Sequence, residues 1–315
     1  MTNATRSKQL LSNGVFLGFL GAVLLAVKPV IIKIAYQYGP DATTLLALRM
    51  IMTVPFFILL LAIFERDKPN RLRLTRSDWI KVLFLGFTGY YAASFLDFVS
   101  LQYISVGLSR SIVYLNPAIV LLLSVLLKQQ KASLAQIGAM ATAYLGVVLV
   151  FWNEMSLGGS GLLIGTTLTF CSAVSYSVYL LLAGNLVQRV GSLRLAATSS
   201  GAATLMCLIQ ALVVNPSGLI HQPLAVYGLS LINATLCTVA PLVMVMLAIR
   251  RIGPSTVAQL GAIGPAATLF FAWIILGDPI STLQVIGTLI VVLGIWLLLR
   301  VRPGRPNATA TERLG

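Results

Sequence analysis

The chain has 315 residues, of which 58% are hydrophobic and only 10% are charged, and its mean hydropathy is +0.93. A soluble domain carries about 25% charged residues, so this composition excludes an ordinary soluble protein. The formal net charge of +14 does not indicate nucleic-acid binding, because the basic residues stand in short clusters between long apolar runs, as in integral membrane proteins.

Long apolar runs predict an all-α membrane protein with ten spans, because about 20 helical residues cross the roughly 30 Å hydrocarbon core. In chain order the predicted spans are 13–36, 42–64, 78–98, 104–127, 133–151, 161–183, 195–214, 224–249, 254–276 and 280–300. The first run is too long for a signal-peptide core and lacks a convincing cleavage site. Residues 1–12 and 301–315 are left as polar ends, and the second of these is predicted to be disordered.

The basic residues between the spans predict the orientation. With the N-terminus in the cytoplasm, 18 of the 22 Lys and Arg residues fall in cytoplasmic segments or at the cytoplasmic ends of spans, and none falls in an outside connection. This is the asymmetry that the positive-inside rule describes. We therefore expect both termini in the cytoplasm, which an even number of spans requires.

The fourth and ninth predicted spans share one pattern. Aligning Pro117 with Pro265 gives an offset of 148 residues, and the same offset places Gly146 on Gly294. A period this long is not a solenoid signal. It indicates two homologous five-helix repeats, an arrangement common among secondary transporters. The predicted repeats are 13–151 and 161–300.

Five ionisable side chains lie inside predicted spans and away from their cytoplasmic ends, where a charge costs roughly 2.5–3.5 kcal/mol on insertion scales and indicates function. They are Lys28, Lys33, Arg49, Asp97 and Arg110. Asp97 and Arg110 flank a short turn, so we predict an ion pair, either a structural partnership or a gating or coupling pair. The stem of Lys33 is long enough to reach the interface. Lys28, Arg49 and Arg110 favour a solute with a carboxylate or phosphate.

Pro117 and Pro265 interrupt the two matched spans. Each proline removes a backbone hydrogen bond, which predicts a hinge or a binding region at matching positions; a plain packing kink is the alternative. Other polar side chains are predicted to line a cavity for an amphipathic solute, although a single tyrosine is more often a packing or interface residue. These side chains are Tyr90, Tyr91, Tyr114, Asn116, Tyr176, Tyr179, Asn233 and Gln259.

Several stretches carry a family resemblance. Ala47-Leu48-Arg49 is similar to a second-helix arginine motif, 101–117 to a fourth helix, and 247–265 to the matching ninth helix. Gly277-Asp278 stands where many family members have Gly-Glu, whereas Lys128-Gln129-Gln130 replaces the usual acidic turn of the first half. In these respects the chain resembles the drug/metabolite transporter superfamily, and in particular its EamA-type members.

The resemblance implies a transporter whose central cavity is lined by the first, third, fourth, sixth, eighth and ninth helices. It does not indicate the solute, because the family handles diverse solutes; the buried cations favour an amino acid or a related organic anion. Family tendency favours export over import. The alternatives are multidrug or lipid-related efflux, and a membrane sensor or assembly protein that transports nothing.

No catalytic constellation accompanies these features. The chain has no phosphate loop, no HExxH or GxSxG motif and no paired carboxylates. We therefore expect no enzyme activity, cofactor, bound metal or nucleic-acid partner. The expected partners are membrane lipids and an anionic or zwitterionic small molecule, in a bacterial inner membrane. Asp97 leaves proton coupling open, and the oligomeric state is also left open.

Overall fold

The computed structural model describes residues 3–64, 74–156 and 160–301, apart from the side chains of 3–12, 185 and 254–255. Across these residues the backbone is helical, with no strand, so the all-α prediction is confirmed. The predicted tail lies outside the described residues except for Val301, and so do most of the basic residues between the second and third spans.

The described residues form fourteen α-helices: α1 (Asn3–Tyr36), α2 (Ala42–Phe64), α3 (Arg76–Leu85), α4 (Ala93–Ser100), α5 (Val106–Val113), α6 (Asn116–Leu126), α7 (Leu134–Ser156), α8 (Leu162–Val190), α9 (Ser192–Val214), α10 (Leu224–Ala234), α11 (Ala240–Ile252), α12 (Pro254–Gly261), α13 (Gly264–Phe271) and α14 (Thr282–Arg300). The same residues also contain π-helical segments at Gly86–Ala92, Thr235–Val239 and Ala272–Leu276, and a 3-10 turn at Pro216–Leu219.

Ten helical stretches within the described ranges are long and apolar enough to cross a membrane. They are Asn13–Tyr36, Ala42–Phe64, Arg76–Ser100, Val106–Leu126, Leu134–Ser156, Leu162–Gly184, Ser192–Val214, Leu224–Ile252, Thr256–Leu276 and Thr282–Arg300. The ten-span prediction is therefore confirmed, with ends that differ from the predicted ones by a few residues.

The fifth span is longer than predicted because the polar residues near its end have partners. The predicted span ends at residue 151, but the helix continues to Ser156. Asn153 Oδ1 accepts a hydrogen bond from the Ser281 hydroxyl at 2.5 Å. The Glu154 carboxylate accepts from the backbone N–H and the hydroxyl of Ser105, at 2.6 and 2.5 Å. Since these polar groups are satisfied, the helix continues through them.

The described helices group into two compact units, and each unit contains helices from both predicted repeats. Unit 1 comprises Met1–Val30, Ser105–Ser160 and Leu236–Gly315, and unit 2 comprises Ile31–Ile104 and Gly161–Thr235. This spatial division differs from the division by sequence repeats. The repeats concern duplicated sequence and stay a prediction.

In unit 1, the fifth and tenth spans pack with their backbones close together. A Cβ added to Gly294 would overlap the backbone of Ala143, and one added to Gly146 would lie 2.6 Å from the carbonyl oxygen of Gly287. Small residues allow membrane helices to approach this closely. The offset that places Gly146 on Gly294 therefore relates two glycines that serve the same helix pair.

The same two spans begin with equivalent serine caps. The N–H of Gln136 donates to Ser133 Oγ at 3.2 Å, and the N–H of Ser133 donates to Gln136 Oε1 at 2.9 Å. This reciprocal pair is a capping box. In the tenth span, the N–H of Gln284 donates to Ser281 Oγ at 3.0 Å. The Ser-x-x-Gln motif thus starts both helices at the repeat offset of 148 residues.

In unit 2, the third span contains the π-helical segment Gly86–Ala92, and hydroxyls of the sixth span donate to carbonyls in and beside it. Ser175 donates to the Thr88 carbonyl at 2.7 Å, and Ser172 donates to the Ala93 carbonyl at 2.6 Å. A π-helical turn interrupts the regular α-helical ladder. Donors from a neighbouring helix therefore stabilise an irregular backbone inside the membrane.

Candidate functional site

The fourth and ninth spans are broken at equivalent positions. In the fourth span α5 ends at Val113 and α6 begins at Asn116. In the ninth span α12 ends at Gly261 and α13 begins at Gly264. Each first segment ends four residues before a proline, whose nitrogen cannot donate a hydrogen bond to that carbonyl. The two breaks are therefore related by the 148-residue offset of the sequence.

The two breaks contact each other within unit 1. A Cβ added to Gly264 would overlap the phenol oxygen of Tyr114, so the Tyr114 side chain lies directly against this glycine. Pro265 is buried next to the contact, and Asn116 is half-buried on the other side of the first break. Gln259 is exposed on α12. The structure thus brings Tyr114 and the Pro265 segment together.

Two of the predicted cations lie in unit 1. Arg110 is buried, and its Nη2 donates to Ser109 Oγ at 3.0 Å. Lys28 is half-buried in the first span. Two residues before it, the carbonyl of Ala26 accepts a hydrogen bond from the Thr268 hydroxyl at 3.0 Å. This bond joins the first span to the ninth span near both a predicted cation and a predicted break.

Arg49 is buried in unit 2 and is held by its neighbours. Its side chain is 3% exposed, and Nη2 donates to Ser94 Oγ at 3.0 Å and to Met50 Sδ at 3.3 Å. The guanidinium carbon lies 5.1 Å from the centroid of the Phe98 ring, within the range of a cation–π interaction. These contacts fix the position of a charge that is costly inside a membrane.

A cavity of about 10 Å³ lies beside Arg49 and is lined wholly by residues of unit 2. Its walls come from the first, second, third and eighth spans, and its polar lining is Arg49, Ser230 and Asn233. Ser230 and Asn233 are each 3% exposed. The Ser230 hydroxyl has no hydrogen-bond partner within the part of the chain that the structure describes. The volume is close to what one water molecule requires.

Ser230 is a site residue that the sequence did not predict. Serine is small and common in membrane helices, where it serves packing, so no pattern separates one serine from another. The sequence does show that Ser230 lies three residues before Asn233, and residues three apart share a helix face. That relation identifies Ser230 only once Asn233 is known to face a cavity.

Tyr90, Tyr176 and Tyr179 form one aromatic cluster in unit 2. The Tyr90 and Tyr179 rings meet edge to face, with centroids 5.5 Å apart and planes at 80°. Tyr176 stacks on Tyr179 at 5.5 Å and 27°. Gly89 allows this arrangement, since a Cβ there would overlap the Tyr179 ring. Three of the four predicted tyrosines of the third and sixth spans therefore lie together.

The fourth tyrosine lies apart from this cluster. The Tyr91 ring contacts Phe87 and Phe95 of its own span, with centroids 5.7 and 6.3 Å away. Asp97 is buried further along the same span, in unit 2, whereas Arg110 belongs to unit 1. The ion pair between Asp97 and Arg110 stays a prediction.

One face of the third span connects the aromatic cluster with the cavity. Tyr90, Ser94 and Phe98 recur every four residues, and side chains at this spacing lie above one another on a helix. Tyr90 belongs to the cluster, Ser94 accepts the hydrogen bond from Arg49, and Phe98 lines the cavity. A single face of the third span therefore contacts the aromatic cluster, Arg49 of the second span and the cavity.

Outside the spans, Asp41 joins the start of α2 to the end of α9 within unit 2. Its carboxylate accepts from the N–H and the hydroxyl of Thr44, both at 2.8 Å, and from Asn215 Nδ2 at 3.0 Å. Partial burial raises the pKa of Asp41, but these hydrogen bonds, beginning with that from the Thr44 N–H, outweigh burial and hold the pKa below its usual range.

Comparisons with known proteins point to a single family. The model of the EamA-like transporter family matches residues 12–152 and 163–300. The uncharacterized transporter YcbK of Bacillus subtilis (strain 168) is 29% identical over 274 residues, covering 85% of this chain and 86% of its own. The uncharacterized transporter YyaM of the same organism is 24% identical over 267 residues, covering 82% and 84%. A solved crystal structure aligns with a TM-score of 0.64 at 17% identity, over 96% of this chain and 99% of its own, which shows likeness of fold alone.

Proposed function

Because the chain belongs to the EamA-like transporter family, we propose that it is a secondary transporter which exports a small amino acid or a related organic anion. The protein is a multi-pass membrane transporter with relatives named as transporters in a bacterium, and we place it in a bacterial inner membrane. Transport would proceed by alternating access of the two five-helix repeats, 13–151 and 161–300, around a central cavity.

The contact between Tyr114 and Gly264 is the observation that carries this proposal. Alternating access requires elements that change direction at defined points, and broken membrane helices at equivalent positions of two repeats supply them. Here each break stands next to a proline, and the two breaks touch. A conformational change at one break would therefore alter the packing at the other.

The charge of the described spans supports an anionic or zwitterionic solute. Lys28, Arg49 and Arg110 all lie within spans, and the two arginines are buried. A membrane protein carries such costly groups when they serve a solute, an ion or a partner charge. The rings of Tyr90 and Tyr179 offer a surface for the apolar part of the same solute. An apolar cation would also suit these rings, so multidrug efflux is the alternative to test.

The test is a flux assay with the purified protein in proteoliposomes. The panel contains amino acids, monocarboxylates and dicarboxylates, together with the cationic dye ethidium, each measured with and without a pH gradient. We expect flux of at least one carboxylate class and none of ethidium. Flux of ethidium alone would favour multidrug efflux, and a protein that moves nothing but copurifies with one fixed partner would favour a sensor.

The break contact is tested with Gly264→Ala in the same assay. The added methyl group overlaps Tyr114, and overpacking costs about 1–3 kcal/mol. Because this cost would raise the barrier to a conformational change at the breaks, we expect flux to fall about tenfold. Gly261→Ala is the matched control, because a Cβ at Gly261 has no described atom within 4 Å beyond its chain neighbours and the local backbone of its own helix. Adding Tyr114→Ala to Gly264→Ala should restore part of the flux. Equal flux in Gly264→Ala and Gly261→Ala would show that the break contact plays no part in the transport cycle.

A further inference from the structure

We infer that the cavity beside Arg49 is a carboxylate subsite, in which the Ser230 hydroxyl provides a hydrogen bond to the bound group. The inference rests on the proposed function and deepens it, since it states where the negative group of the solute binds. Ser230, on the eighth span, is added to the predicted site residues. The subsite lies wholly within unit 2.

Arg49 is positioned in advance for this role. The Ser94 hydroxyl at 3.0 Å and the Phe98 ring at 5.1 Å hold the guanidinium beside the cavity. A planar guanidinium matches the two oxygens of a carboxylate. A side chain that is already held loses little conformational entropy when a ligand binds. The site therefore favours a carboxylate ligand over one that needs a lysine ammonium or a flexible side chain as its binding partner.

Ser230 is the second, independent observation that indicates a ligand. Its hydroxyl is buried and lines the cavity, and it has no hydrogen-bond partner among the residues described. A buried hydroxyl without a partner is costly, and a bound oxygen would remove that cost. Asn233 stands three residues later on the same helix face and lines the same cavity.

Because the cavity is small, we assign this structure to a closed form of the subsite. About 10 Å³ suffices for roughly one water molecule, so a carboxylate enters only when a wall moves. One wall is formed by Ile31, Ile32 and Ala35 of the first span. These residues follow Pro29, which removes a backbone hydrogen bond and makes the helix easier to bend there. We therefore expect the wall after Pro29 to be the part that moves.

The competing explanation is that the site holds only water. Asp97 is buried and adjoins Phe98 on the third span, and its carboxylate would compete with an anion if it neutralised Arg49. The two explanations predict opposite responses to a small carboxylate. Acetate and its neutral analogue acetamide have nearly the same shape, so they separate charge recognition from the filling of space.

The experiment measures thermal unfolding of the purified full-length protein in detergent as acetate replaces chloride at constant ionic strength. We expect a saturable rise in the unfolding temperature with acetate and no rise with acetamide. Arg49→Gln should abolish the response, and Arg49→Lys should retain a weaker one. An equal response to acetamide, or no response to acetate over chloride, would overturn the proposal.

Ser230→Ala supplies the decisive variant, because it separates binding from folding. Removing an unsatisfied buried hydroxyl should leave the unfolding temperature without acetate unchanged or higher, while the acetate affinity falls about tenfold. Ser199→Ala is the matched control, since Ser199 is also buried with no partner for its hydroxyl among the described residues, yet it does not line the cavity.

Equal acetate affinity in the Ser230→Ala and Ser199→Ala variants would overturn the subsite. The outcome is independent of the flux assay. Acetate binding that depends on Ser230 without any flux would count against the transport function alone, whereas carboxylate flux that survives Ser230→Ala with unchanged affinity would count against the subsite alone.

Discussion

Two helix contacts, one in each compact unit, accommodate close packing and an irregular backbone with different residues. In unit 1 the fifth and tenth spans approach through Gly146, Gly287 and Gly294, where the essential feature is the absence of a side chain. In unit 2 the irregular third span depends on hydroxyl donors, Ser172 and Ser175, which are polar atoms that must be present. The contact between the fifth and tenth spans should therefore be sensitive to added volume, and the contact between the third and sixth spans to removed hydrogen bonds.

The largest effect is expected for added volume in unit 1. In Gly294→Ala the new methyl group overlaps the backbone of Ala143, which cannot move aside as a flexible side chain would. We expect a loss of about 1–3 kcal/mol, seen as a lower unfolding temperature at a fixed scan rate. Gly138→Ala in the fifth span is the control, since a Cβ there has no described atom within 4 Å beyond its chain neighbours and the local backbone of its own helix. Similar unfolding temperatures for the two variants would refute close backbone packing.

A smaller effect is expected for a lost donor in unit 2. Ser175→Ala removes the hydrogen bond to the Thr88 carbonyl and should cost about 1 kcal/mol. The comparison is Ser124→Ala in unit 1, whose hydroxyl donates to the Val120 carbonyl of its own helix at 2.8 Å. A hydroxyl that bonds back to its own helix adds little stability. If Ser124→Ala lowered the unfolding temperature as much as Ser175→Ala, the Ser175 hydroxyl would not be a special support of the irregular third span.

The smallest effect is a pH dependence at Asp41 in unit 2. Its pKa in the folded protein is below its usual range, whereas the unfolded value is about 3.9. The ionised carboxylate therefore stabilises the fold above the unfolded pKa, and this contribution is lost as the pH falls through the folded pKa.

We accordingly expect Asp41→Asn to unfold at a lower temperature than the wild type at pH 6, with a gap that narrows as the pH falls below 4. All other titratable groups are the same in both proteins, so the difference between the two curves isolates Asp41. A gap that stays constant across this pH range would show that the Asp41 carboxylate is not the stabilising form.

The site was partly predictable for a physical reason. Charges and tyrosines are conspicuous inside apolar spans because they are costly there, so Arg49 and Tyr90 could be identified from their residue types. Ser230 could not, because its importance lies in a buried hydroxyl beside a cavity. The separation of Tyr91 from the tyrosine cluster likewise depends on the orientation of each side chain on an irregular helix.

Local composition alone determined the ten spans, since the length of an apolar helix must match the thickness of the membrane. The spacing of Pro117 and Pro265 likewise determined that two helices break at equivalent positions, because a proline cannot donate a backbone hydrogen bond. Only the tertiary structure decided that Tyr114 meets Gly264, that α7 continues past Asn153, and that Arg49 and Ser230 share a cavity. These features depend on packing between residues far apart in the chain, which no local pattern specifies.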